Sequence, residues 1–225
     1  MRGKVYVISE QGLKLLISSK RKYLLGIGAL ALILILLGGY TLKLKQQLAS
    51  QRAAQAAVYD ELYDQMMQEF EAVKHDPHLR RYIIAKILSR AKEYDIDPDL
   101  LFALVAVESG FNVVAKSPKN ARGLGQVMFA TAKGIDPTRV DRPDELYDVH
   151  LNLDYTLKYL KANLEKSGDV RTALMVYYYG GAAKAAGFKD RSNYVSKVLS
   201  YYALLKARRW GGGQADSDRK PLRLG

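Results

Sequence analysis

The sequence predicts an all-α protein. Apolar residues return at helical spacing in one segment after another, as in Leu79, Tyr82, Ile83, Ile87 and Leu88. Helix punctuation stands at the ends of such segments: Asp97-Pro98 opens one, and Ser109-Gly110 closes it. No strong strand alternation appears in the C-terminal two thirds, and no internal repeat is found.

The elements follow in order. Residues 1–22 are basic and show no clear fold of their own, although Val5-Tyr6-Val7-Ile8 has the composition of a short strand. Residues 23–42 carry no charge, and about 20 helical residues cross the ~30 Å hydrocarbon core of a bilayer. Tyr23 and Tyr40 stand at the two ends, where aromatic anchors sit. A cleaved signal peptide is the competing reading of this run. The long basic region before it, and the lack of a small-x-small cleavage site before Lys43, favour an uncleaved anchor. The excess of Lys and Arg before the run places the N-terminus in the cytoplasm and the remainder outside it.

Residues 43–75 read as a helical stalk, with Val58, Leu62, Met66, Phe70 and Val73 on one stripe. That stripe is suited to packing on the following domain, on a sister stalk (self-association) or on partners in a larger machine. His75-Asp76-Pro77-His78 breaks the helix and is read as a polar linker, with no metal site. Residues 76–210 form the domain that carries the chemistry. Its helices are expected over 79–94, 98–109, 129–133, 148–166, 170–179 and 193–209, with an irregular Pro-containing connection over 135–145. Residues 211–225 are polar and Gly-rich, and are expected to be disordered.

The net charge is +12 and there is no cysteine. A thiolate metal site and a disulfide framework are therefore excluded. The basic balance favours polyanions such as anionic lipid or an acidic wall polymer. No clustered basic helix or aromatic RNA-binding motif points to specific nucleic-acid reading. Nothing in the sequence calls for a cofactor.

The candidate chemistry centres on Glu108. It ends the apolar run Leu100–Val107, so its carboxyl is expected to be at least partly buried. Burial raises a carboxyl pKa, which suits a general acid. The segment after it brings glycines for close backbone approach and Ser and Gln for neutral hydrogen bonds. No other Asp or Glu occurs before Asp136.

Four motifs in order resemble the soluble lytic transglycosylase family. They are Glu108-Ser109-Gly110-Phe111-Asn112; Ser117 with Ala121-Arg122-Gly123-Leu124, Gln126, Met128 and Ala130-Thr131-Ala132; Asn152 with Tyr159-Leu160; and Ala173-Leu174-Met175-Val176-Tyr177 with Gly180. The resemblance covers roughly residues 79–202. It implies a goose-lysozyme-like helical domain that acts on peptidoglycan glycan strands. It further implies that Glu108 alone serves as acid and base, with the substrate's acetamido group stabilising the reacting centre and a 1,6-anhydro ring closing on the muramoyl sugar.

Carried over by position, Ser117 matches a serine beside the muramoyl acetamido group. Gln126 and Met128 match groove residues, and Tyr177 a tyrosine that hydrogen-bonds the catalytic Glu. Tyr178 stands where the family usually has Asn; it too is read as a substrate-binding residue. Gly125 replaces a usual Met, Phe129 a usual Pro, and Asn120 a common Gly. A catalytically silent peptidoglycan-binding or assembly protein is the alternative reading. A housekeeping enzyme and a component of a virion or a secretion or conjugation machine are not separated by sequence.

Overall fold

A computed structural model describes residues 9–181 and 193–211. The expected strand at Val5–Ile8 and the expected tail after Gly211 lie outside the described residues. Those residues form helices α1 (Glu10–Met67), α2 (Pro77–Tyr94), α3 (Pro98–Ser109), α4 (Phe129–Ile135), α5 (Val149–Ser167), α6 (Val170–Tyr179) and α7 (Tyr194–Gly211). One 3-10 turn covers Pro143–Tyr147, and no strand occurs among the described residues. The chain divides into two units, residues 1–56 and 57–225.

In the first unit, α1 begins at Glu10, so the part of the basic segment from Glu10 on, which showed no clear fold of its own in sequence, is helical. No proline interrupts residues 10–42, and Glu10 sits in the first turn, where the helix dipole favours an acid. Residues 23–42 are exposed on every face. From Ser18 onward the helix is long and apolar enough to cross a membrane.

The second unit starts earlier than the expected boundary at residue 76. Tyr63, Met66, Met67 and Val73 are buried in its core. Of the predicted stripe, Met66 and Val73 are buried and Leu62 and Phe70 pack against the core, while Val58 is exposed; Tyr63 and Met67 widen the buried face. Tyr63 packs on Phe102 at 4.2 Å between ring centroids. Each such burial contributes about 1.5–3 kcal/mol, which removes the end of α1 from the stalk and fixes it in the domain. The helix stops at Met67, and residues 68–74 continue as turns.

Helix α3 is the centre of this unit. Every residue from Asp99 to Ala106 is buried. Leu101, Phe102 and Val105 face a cluster with Ile83, Ile87, Leu153 and Leu205. Leu100 and Leu104 face a second cluster with Leu160, Leu174, Val195 and Val198. A run apolar on all sides is what a helix packed from all sides requires. Its ends form as its sequence predicts. The Asp97 carboxylate accepts from the Asp99 N–H at 3.0 Å, and Pro98 takes the first helical position. Gly110 adopts φ 55° and donates to the Ala106 carbonyl at 3.1 Å. A third cluster (Val127, Ala132, Val140, Leu146, Tyr155) supports the connection between α4 and α5.

Candidate active site

Glu108 lies in the last turn of α3, largely withdrawn from solvent but not sealed. Its Oε1 accepts a 2.6 Å hydrogen bond from the Tyr194 hydroxyl of α7. Burial pushes its pKa up from an ordinary 4.5 to about 7, and the Tyr194 hydrogen bond opposes that rise. The C-terminal end of α3 carries the negative pole of the helix dipole, which also disfavours a carboxylate there. A group with these properties holds a proton near neutrality and still releases it readily.

Three further tyrosines gather around this pair. The Tyr177 hydroxyl donates to the Gly125 carbonyl at 2.7 Å, and its ring packs against Tyr159 at 5.2 Å with the planes tilted by 50°. The Tyr178 ring lies parallel to that of Tyr194, with centroids 4.4 Å apart and planes 22° apart. Tyr179 meets Tyr178 edge-on at 4.7 Å. Burial, and after it the Glu108 charge, raise both the Tyr177 and Tyr194 hydroxyls well above 10, so both stay protonated donors.

The expected hydrogen bond from Tyr177 to Glu108 is therefore corrected. Tyr194 makes it, and Tyr177 holds the backbone of the loop beside it. The missed residue had a signal. Tyr194, Val195, Val198 and Leu205 share the buried stripe of α7, so Tyr194 faces inward at the first turn of that helix. What the stripe could not tell is that Glu108, 86 positions earlier, sits opposite.

The loop between α3 and α4 is built largely from hydrogen bonds. Phe111, at φ 62°, is fully buried against Phe70 and Phe102. Arg122 and Val127 exchange reciprocal backbone bonds at 3.0 Å. Asn152 of α5 clamps the loop: its amide accepts from the Gly125 N–H at 2.8 Å and donates to the carbonyls of Arg122 and Leu146 at 2.8 and 2.7 Å. A Cβ at Gly125 would fall 1.9 Å from Thr156 Oγ1, so the usual Met cannot stand there without rearrangement. At Gly123, with φ 71°, a Cβ would meet the Leu146 carbonyl at 2.5 Å.

The other expected site residues ride on this loop. Ser117 Oγ accepts from the Ala121 N–H at 3.0 Å, which leaves its hydroxyl proton to donate. Gln126, at φ 50°, spends its amide N–H groups on the carbonyls of Gly123 (2.9 Å) and Ala115 (3.3 Å), keeping its side-chain carbonyl as an acceptor. Met128 is exposed, as is Tyr178. The later acids are engaged locally. Arg122 holds Asp144 at 3.0 Å, Thr138 holds Asp136, and Lys133 approaches Asp141 at 3.5 Å.

Solved structures with this fold support the architecture. The 70 kDa soluble lytic transglycosylase of Escherichia coli superposes with a TM-score of 0.51 and 22% identity, covering 70% of this chain and 30% of that one. A 70 kDa soluble lytic transglycosylase in complex with bulgecin A gives a TM-score of 0.52 and 22% identity over 76% of this chain and 32% of that one. The fold is thus the helical, lysozyme-like fold of these enzymes.

The Transglycosylase SLT domain matches residues 86–198, and the chain belongs to that family. The transglycosylase of Enterobacteria phage PRD1 is 36% identical over 113 residues, 50% of this chain and 40% of that protein. The membrane-bound lytic murein transglycosylase E of Buchnera aphidicola is 32% identical over 109 residues, 43% of this chain and 49% of that protein. The chain thus spans less than half the length of these two relatives.

Proposed function

We propose that this protein is a membrane-anchored lytic transglycosylase that opens peptidoglycan locally. The carrying observation is a single carboxyl, Glu108, poised near neutral pKa under a tyrosine hydroxyl. In this reading protonated Glu108 gives its proton to the glycosidic oxygen between N-acetylmuramic acid and N-acetylglucosamine. The C1–O bond breaks, and the muramoyl acetamido oxygen stabilises C1. The Glu108 carboxylate then takes the proton from the muramoyl 6-hydroxyl. O6 bonds to C1, and a 1,6-anhydro ring closes with no water consumed. Tyr194 holds Glu108 in one orientation through both transfers. Ser117, Gln126 and Met128 offer contacts to the sugars, and Tyr178 an aromatic face. Residues 23–42 hold the enzyme in the bilayer, with the N-terminus cytoplasmic and the domain on the wall side.

Digestion of purified sacculi by the full chain tests this. Anhydro-muropeptides are expected from the wild type and none from Glu108→Gln; reducing muropeptides, or no products from either, would contradict it. The phage PRD1 relative favours a second reading of context, in which the enzyme is carried by a virion. Detection of the chain in purified particles tests that reading.

A further inference from the structure

The Glu108–Tyr194 pair is flanked by a ring that its hydrogen bond does not require. Tyr178 lies on the face of Tyr194 at 4.4 Å, near parallel, and is braced edge-on by Tyr179. Tyr178 is 47% exposed and Tyr194 only 4%, so the Tyr178 ring covers one face of Tyr194 and meets solvent itself. The family's usual Asn has no ring to place there. We infer that Tyr178 is a positioning residue that shields the Tyr194–Glu108 hydrogen bond from water, and so fixes the orientation and proton affinity of Glu108. This deepens the proposed function and rests on it only for the use made of Glu108's proton.

Among the described residues, burial and the Tyr194 hydroxyl of α7 set the proton affinity of Glu108, and the Glu108 charge in turn acts on Tyr177 of α6. Removing the Tyr178 ring admits water to the pair. Hydration favours the carboxylate and lowers its pKa. Wetting also weakens the Tyr194 hydrogen bond, which acts the other way. Burial is the larger of the two influences on Glu108, so the net shift is downward. Losing the Tyr194 hydroxyl itself shifts Glu108 upward. Cover and hydrogen bond thus leave opposite signatures, which a purely structural role for Tyr178 would not produce.

The test is a carboxyl titration by NMR on the full chain in detergent micelles, labelled with 13C-glutamate. The Glu108 signal is the one that Glu108→Gln removes. Tyr178→Asn and Tyr178→Ala are each expected to lower its midpoint by on the order of one pH unit. Tyr178→Phe, which keeps the ring, is expected to leave the midpoint in place. Midpoints unchanged or raised in the Asn and Ala variants, or a Phe variant that moves as far as Ala, would overturn the inference. Sacculus digestion by the wild-type protein runs alongside. Absence of anhydro products with the midpoint shifts intact would sink the transglycosylase reading and leave the Tyr178 inference standing.

Discussion

The two ends of α3 hold buried acids in opposite ways. At the N-terminal end, Asp99 is fully buried, takes the Tyr63 hydroxyl at 2.8 Å, and is paired with Arg209 and with Lys206 at 3.5 Å. Beside it Asp97 takes the Tyr202 hydroxyl at 2.9 Å and pairs with Lys206. The positive pole of the helix dipole adds to these cations. At the C-terminal end, Glu108 has a phenol and a negative helix pole, and among the described residues no cation contributes to its proton affinity. The same helix thus fastens α1 and α7 with charged carboxylates at one end and keeps a proton available at the other. Both acids are buried; among the described residues, the charge partners of Asp99 are what Glu108 lacks.

The largest effect should come from Glu108→Gln. General acid–base contributions of about 10²–10⁴-fold set the expected fall in turnover, with circular dichroism unchanged. Asp99→Ala should do the reverse. It leaves Arg209 buried without its carboxylate, a loss of about 3–5 kcal/mol seen as a lower denaturant midpoint, and Glu108's titration in the folded fraction is unaltered. Turnover lost at Asp99 with stability intact would break the contrast between the two ends.

A stability difference with pH sharpens it further. The folded protein binds a proton at Glu108 that the unfolded chain releases between pH 4.5 and about 7. This contribution to stability is full below pH 4.5 and is lost as pH rises through about 7. Relative to Glu108→Gln, the wild type should therefore lose stability across that window, by on the order of 1–3 kcal/mol. Thermal melts of both proteins from pH 4 to 8 check this; parallel curves would contradict it.

The smallest effect is expected at Tyr194→Phe. It removes a hydrogen bond that favours the charged form, so the alkaline limb of the rate profile should move upward, by on the order of one unit. A downward move would reassign the hydroxyl's role.

Much of this architecture is written locally in the chain. The caps of α3 are short-range events, so Asp97-Pro98 and Ser109-Gly110 place Glu108 at a helix end with no tertiary information. The apolar run Leu100–Val107 signals a helix buried on every side. What the sequence hides is long-range. The partner of Glu108 comes from another helix, and three consecutive tyrosines give no local reason to prefer Tyr194 over Tyr177. The end of α1 looks like a continuing stalk because its stripe is legible, whereas the surface that Tyr63 meets on Phe102 is not. Gly125 reads as a departure until Thr156 is seen to occupy the space of a side chain.

If one carboxyl both gives and takes the proton, as proposed, water never enters the product. Digestion of sacculi by the full chain in ¹⁸O-labelled water measures this directly. The expected products are 1,6-anhydro-muropeptides carrying no ¹⁸O at C1. Label at C1 of a reducing sugar would mean that a second group activates water, and would contradict that proposal.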